Sequence, residues 1–136
     1  MQTAVIVIVV LAIVVAVIWY RVNVREGIDP SFVSATISKS IDDEAVIDDV
    51  KLKALSVWFA RHSWGWREFI VPPPCLVWFI LTYRDGRRVK VGLSREKPAR
   101  SGRHRVIYAF KGKLKDNARR GLSAEECASL FSILEL

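Results

Sequence analysis

Residues Ala4 to Tyr20 form an unbroken run of seventeen hydrophobic side chains, with no Asp, Glu, Lys, Arg or His among them. A water-facing helix needs a polar stripe and a half-buried strand needs alternation, and this run offers neither. At about 1.5 Å per residue it makes a helix of roughly 25 Å, and adding Gln2, Thr3 and Val22 to Val24 carries it past the roughly 30 Å of bilayer hydrocarbon. Its Val, Ile and Ala content would favour strand in water, but within lipid an isolated segment can satisfy its backbone only as a helix. Residues 1–24 therefore read as a single transmembrane helix with an interfacial end. Trp19 and Tyr20 close the run where amphipathic rings prefer the headgroup level, and Arg21 and Arg25 follow as interface anchors.

A cleaved signal peptide is the rival reading. The flanks fit it less well: no Lys or Arg precedes the run, the apolar stretch exceeds a usual signal core, and no small-x-small site follows. With the positive side chains on the C-terminal side, the positive-inside rule puts the N-terminus outside and the remainder in the cytoplasm of a cell (inner) membrane. The span has no ionisable group to serve as a proton relay or ion path. Ala12 and Ala16 form one small-x-x-x-small pair, its candidate helix-packing position.

The other 119 residues hold all 35 charged side chains, about 29%, which is ordinary for a globular domain. Together the two parts exclude a fully soluble protein, a multi-span transporter and a disordered chain, and leave room for one domain of about 100 residues. Gly27, Asp29 and Pro30 break the pattern after the span, so residues 25–40 read as a juxtamembrane linker, with a short strand over 31–37 as the other reading. Residues 41–62 read as an amphipathic helix: Val46, Val50, Ala54, Val57, Trp58 and Arg61 recur at three- and four-residue steps behind an acidic start. Alternation around Val50 to Ala54 leaves a strand open for its second half.

The run Leu76 to Tyr83, the turn Asp85-Gly86 and the alternating Val89, Val91 and Leu93 predict a β-hairpin whose first strand is covered on both faces. Arg105 to Phe110 reads as another strand. Ser123 and Glu126 have the spacing of a capping box, opening a helix through Leu134 with Cys127, Leu130, Phe131 and Leu134 on its apolar face. The expected fold class is thus α+β: the span, then over residues 41–136 a small antiparallel sheet with one or two packed helices.

Charge is segregated within that domain. Residues 84–120 carry fourteen Lys and Arg against Asp85, Glu96 and Asp116, whereas Asp42 to Asp49 holds five acids and no base. A solvated polar face accounts for many such runs. Below an anionic leaflet, however, each approaching Lys or Arg gains roughly 1 kcal/mol, so lipid headgroups or an acidic partner surface are the functional readings. The contact candidates are Arg84, Arg87, Arg88, Lys90, Arg95, Lys97, Arg100, Arg103 and Arg105. Trp64 and Trp66 join them as a protruding aromatic patch, because Trp pairs apolar area with a polar N–H. A core and its rim is the plainer account of the same rings. Nucleic acid is a third reading of the 95–105 loop, with Tyr108 and Phe110 nearby, but no recognised binding motif accompanies it.

Signals for catalysis are thin. His62 and His104 have no metal-ligand spacing, Cys75 and Cys127 lie far apart without a C-x-x-C, and Gly-rich phosphate loops and nucleophile elbows are absent. No enzyme activity, cofactor or metal is expected. The expectation is a non-catalytic single-span accessory or scaffold subunit of a multi-subunit membrane complex, of respiratory, photosynthetic, transport or secretion type. The alternative is a free-standing anchored module that binds anionic lipid or nucleic acid.

Overall fold

The apolar run folds as one helix, α1 (Gln2–Asn23), in a computed structural model that describes residues 2–40, 43–68, 75–95, 105–113 and 116–136. Every side chain from Gln2 to Tyr20 is exposed, and the helix is long and apolar enough to cross a membrane, a measure that a signal sequence also meets. The rest is α+β. Strands β1 (Ser34–Ser40), β2 (Asp43–Val46), β3 (Cys75–Thr82), β4 (Arg88–Ser94), β5 (Arg105–Phe110) and β6 (Ala118–Leu122) form one antiparallel sheet in the order β2-β1-β3-β4-β5-β6. Helices α2 (Asp49–Arg61) and α3 (Ala124–Leu134) cover one face.

Alternation sets that face. Val77, Phe79 and Leu81 of β3, Val89, Val91 and Leu93 of β4, Ile107 and Ala109 of β5 and Leu122 of β6 are buried against Leu55, Trp58 and Phe59 of α2 and Cys127, Leu130 and Leu134 of α3. The two helices lie antiparallel, with Lys51 Nζ 2.9 Å from Glu135 at one end and His62 Nε2 3.2 Å from Glu126 at the other. The predicted hairpin is present, turning at Gly86, whose φ of 89° suits a residue without Cβ. The capping box is present too: Ser123 Oγ accepts from the Glu126 amide at 3.2 Å, and the Glu126 carboxylate accepts from the Ser123 amide at 3.0 Å.

Expectations change at several points. The helix expected from residue 41 begins at Asp49, because Asp48 caps it by accepting from the Lys51 amide at 2.9 Å, and Asp43–Val46 instead pairs with β1 as an edge strand. Acidic side chains there suit an exposed edge that must avoid stray pairing. The strand alternative for its second half gives way to helix, since the 3.6-residue period brings Leu55, Trp58 and Phe59 to one face. The first hairpin strand is covered on one face only: Leu76 is 41% exposed, and Trp78, Ile80 and Thr82 are half-buried. Strand β6 went unread, because Ala118-Arg-Arg-Gly-Leu lacks apolar alternation, although Arg120 points to the covered face and is buried.

The largest change concerns residues 25–40, expected as a linker, where the other reading, a short strand over 31–37, is met in part by β1. Ile28, Phe32 and Ala35 belong to the core, and Ser34–Ser40 is an interior strand. Phe32 meets Phe59 and Tyr83 edge-to-face at 6.1 and 6.2 Å. Burying these apolar groups offsets the entropy of ordering the segment, which Gly, Asp and Pro alone did not signal.

Candidate membrane-proximal interface

The chain leaving α1 is strapped across one end of the sheet. Val24 bridges Arg67, and Arg67 in turn bridges Arg119 of β6. The Arg25 amide donates to the Trp66 carbonyl at 3.0 Å, and the Arg25 guanidinium reaches Glu68 at 3.2 Å. Further along, Lys111 Nζ, just beyond β5, donates to the carbonyls of Glu26 and Gly27 at 2.8 and 2.7 Å. Tyr83 Oη, just beyond β3, donates to the Asp29 carbonyl at 2.8 Å. Ser56 Oγ donates to the Pro30 carbonyl, and the Val33 amide to the Thr82 carbonyl at 2.8 Å. Residues 24–33 thus pass the ends of β6, β5 and the β3–β4 hairpin before entering the sheet as β1.

Close approach makes this possible. A Cβ on Gly27 would stand 2.8 Å from Trp66 Nε1 and 3.0 Å from the Ser63 carbonyl oxygen. Trp66 itself is fully buried and donates its indole N–H to the His62 carbonyl at 2.7 Å. For Trp66 the reading as a protruding ring is therefore overturned and the plainer reading, a core ring, holds: it is the surface on which the strap lies. Trp64, two residues earlier, is 70% exposed. Beneath it a buried ionic cluster holds the loop, with Arg120 Nε donating to the Trp64 carbonyl at 2.8 Å and Nη1 to Glu126 at 2.7 Å, while the guanidinium stacks 4.8 Å from the Trp64 ring.

The strap end is also where the helix arrives. The Arg67 guanidinium lies 5.4 Å from the Trp19 ring centre, and Trp19, Tyr20, Arg25, Trp64 and Arg67 line a cavity of about 1010 Å³ between the helix and the domain. A neighbouring cavity of about 810 Å³ is lined by Arg25, Asp29, Arg87, Arg88 and Lys111 among others. Of the expected interface anchors, Trp19, Tyr20 and Arg25 therefore adjoin the domain, and Arg21 falls within α1. Ala12 and Ala16 are exposed on α1.

The expected basic surface divides in two. The antiparallel register puts Arg84, Arg87 and Arg88 at the strap end, whereas Arg95 and Arg105 bracket the opposite end. Seven residues of β4 separate the two ends, about 20 Å at strand spacing. Arg84, Arg88, Lys90 and Arg95 are exposed, with Lys90 Nζ 4.4 Å from the Trp78 ring centre on the uncovered face. Arg87 is drawn to Asp85 at 2.7 Å and Asp29 at 3.4 Å. Arg105 is half-buried, donating to the Ser94 carbonyl at 3.0 Å and stacking 4.8 Å from Phe131. Lys97, Arg100 and Arg103, like His104 and Pro72 to Pro74, lie outside the described residues. Tyr108 is buried, and Phe110 is half-buried and packs 5.7 Å from Trp78.

Burial pushes the Lys111 ammonium below its ordinary value, against the pull of Glu26, Asp116 and Asp29, consistent with its place beneath the strap. Among the described residues no group of three or more His, Cys, Asp or Glu side chains could hold a metal ion. Cys127 is buried and Cys75 half-buried, and no disulfide joins them. Sequence reasoning missed Arg67, Glu68 and Lys111 as the strap's anchors; an isolated charge carries no local signal that it will meet a backbone segment far away in the chain. The chain matches no family model, and no curated protein and no solved structure is significantly similar to it.

Proposed function

We propose that this chain is a single-span membrane protein whose cytoplasmic domain acts by binding, as a non-catalytic accessory subunit that braces a larger membrane complex. The strap carries this reading. A domain that only needs to stay near a membrane is served by a flexible tether, which gives a raised local concentration at little ordering cost. Here residues 24–33 are pinned by Arg67, Lys111, Tyr83 and Trp66, and Ile28 and Phe32 lie in the core. Ordering that many residues costs roughly 1–2 kcal/mol each. The return is a domain held in one orientation to its span, which matters when both must meet the same partner at once. The contact of Arg67 with Trp19 and the bridge from Val24 likewise favour an uncleaved span over a signal sequence.

A flexible Gly/Ser insertion between Asn23 and Val24 tests this. After gentle detergent extraction and native electrophoresis, the unaltered chain is expected to co-migrate with a much larger species. The insertion should release it while leaving the domain's melting temperature unchanged. A lone small species for the unaltered chain would overturn the reading.

A second reading, contact with anionic lipid headgroups, is supported by the exposed Arg84 and Arg88 at the strap end. Vesicle binding by the domain from residue 24 onward should then fall in Arg84→Gln/Arg88→Gln and with added salt, but not in Arg95→Gln. Binding indifferent to lipid charge excludes it.

A further inference from the structure

The cavity at the junction of α1 and the domain has Trp19 and Tyr20 of the helix on one side and Ser63, Trp64 and Arg67, from the segment after α2, on the other. Its charged side chains are Arg25, Glu26, Asp29 and Arg67. The first three are engaged elsewhere. Arg25 pairs with Glu68 at 3.2 Å, Asp29 accepts from the Ser31 amide and hydroxyl and from Arg87, and Glu26 lies in the field of Lys111, whose ammonium binds the Glu26 carbonyl. Arg67 differs from them. Its backbone is fixed by Arg119, but its side chain is exposed, with the guanidinium 5.4 Å from the Trp19 ring centre and no carboxylate against it among the described residues. One positive charge is thus left over beside this cavity.

The uncommitted groups suit an anion. Ser63 and Trp64 line the same cavity, and neither the hydroxyl nor the indole N–H makes a hydrogen bond among the described residues. A guanidinium adds a planar fork of N–H donors that matches a phosphate. Depth selects which phosphate. Trp19 and Tyr20 close the apolar run, where such rings settle among lipid headgroups, the layer in which phospholipid phosphates lie. Ala16 and Ala12 follow back along the same face of α1 from Trp19, both exposed and small, which leaves an acyl chain room to lie against the helix.

We propose that this cavity binds one phospholipid molecule, its phosphodiester held by the Arg67 guanidinium with Ser63 and Trp64 as further donors, and an acyl chain laid along Ala16 and Ala12. The cavity, of about 1010 Å³, is large enough for a headgroup with its glycerol. Such a site presupposes that α1 is an uncleaved span, the reading proposed above. It differs from surface attraction to Arg84 and Arg88, because it recognises the phosphodiester that zwitterionic and anionic phospholipids share rather than the net charge of the headgroup. Bound there, the lipid touches the end of the span and the domain together and reinforces the junction that the strap already orders.

The test uses the full chain in mild detergent and native mass spectrometry, with phosphatidylglycerol, phosphatidylethanolamine, diacylglycerol and inorganic phosphate added in turn. One molecule of either phospholipid should be retained per chain, with comparable affinity. Diacylglycerol has the acyl chains without the phosphate and inorganic phosphate the reverse, so neither should be retained. Arg67→Gln should weaken retention of both phospholipids by at least about tenfold, and Arg67→Lys, which keeps the charge without the fork, should weaken it less. Both variants should melt at the unaltered temperature, since the Arg67 side chain is exposed and the pairing with Arg119 is through the backbone. Lys53→Gln, exposed on α2, should change nothing. Retention that survives Arg67→Gln, retention of phosphatidylglycerol alone, or equal retention of diacylglycerol or inorganic phosphate would each overturn the proposal. Alkaline carbonate extraction of native membranes separates the two readings. Release of the chain refutes the span, whereas a chain that stays in the membrane and retains no phospholipid refutes the site alone.

Discussion

The backbones of Arg67 and Arg119 exchange both of their hydrogen bonds, Arg67 donating to Arg119 at 2.8 Å and accepting from it at 2.7 Å. This pair extends the sheet beyond β6 and presents Arg67 to Val24, where the chain leaves α1. The β6 edge thereby carries Arg67, and the segment that joins the domain to its apolar helix bridges Arg67 in turn through Val24. The arrangement makes the strap from Val24 onward part of the fold, so substitutions within residues 24–33 should register as changes in domain stability.

Gly27 lies where a side chain has no room. Gly27→Ala should destabilise the domain by about 1–3 kcal/mol, because its Cβ would meet the buried Trp66 indole and the Ser63 carbonyl, neither of which can readily move. Denaturant unfolding checks this, and an unchanged midpoint would mean that the strap does not lie on Trp66.

Trp64 and Trp66 should behave oppositely despite their spacing. Trp66→Ala removes a fully buried ring and should cost about 3–5 kcal/mol. Trp64→Ala, at a site 70% exposed, should cost less than about 1 kcal/mol. In vesicles containing brominated lipid, Trp64→Phe should reduce fluorescence quenching of the reconstituted chain, since Trp64 shares a cavity with Trp19 and Tyr20. Equal quenching in both proteins would place Trp64 away from the bilayer.

Glu126 is expected to govern an acid-sensitive part of the stability. Burial raises its carboxyl pKa, but the Ser123 amide, the Arg120 guanidinium and His62 together favour the anion and hold it below the ordinary value of 4.5. A carboxylate depressed in the folded state stabilises fully above its unfolded pKa, and that stability is lost as pH falls through the folded one. Glu126→Gln should cost about 3 kcal/mol near neutrality by leaving Arg120 buried without its charge partner. As pH falls below the ordinary carboxyl range, the variant should also lose less stability than the unaltered chain. Parallel stability curves would refute the assignment.

Tyr83 sets the opposite limit. Burial, with Asp29 and Asp85 nearby opposing Arg87, pushes its phenol up to about 12 from an ordinary 10.0. The unfolded chain then ionises first as pH rises, so the domain should lose on the order of 2 kcal/mol between about pH 10 and 12. In Tyr83→Phe that loss should be absent, at the expense of the hydrogen bond to the Asp29 carbonyl.

Features legible in the sequence were those whose physics is local. The apolar run and the Ser123/Glu126 capping box satisfy their own backbone within a few residues, and the Asp85-Gly86 turn with its alternating flanks and the Arg105–Phe110 strand pair with strands that are next to them in the chain. Errors arose where a partner distant in sequence decided the outcome. Asp43 and Glu44 resembled the acidic first turn of a helix until pairing with β1 took them into a strand. Trp66 resembled a protruding ring until Gly27 was laid against it.

The candidate interface divides in the same way. The sequence determined by itself that the chain has one helix apolar enough to span a membrane, that a basic α+β domain follows, and that Trp and Arg cluster near their junction, because hydrophobicity and charge are properties of the residues alone. Only the tertiary structure decided that the junction is a rigid strap, that Trp64 rather than Trp66 faces outward, and that Arg84 and Arg88 lie at the strap end while Arg95 and Arg105 lie at the other. Antiparallel register turns neighbours in sequence into opposite ends of a sheet, and no composition or local period encodes that separation.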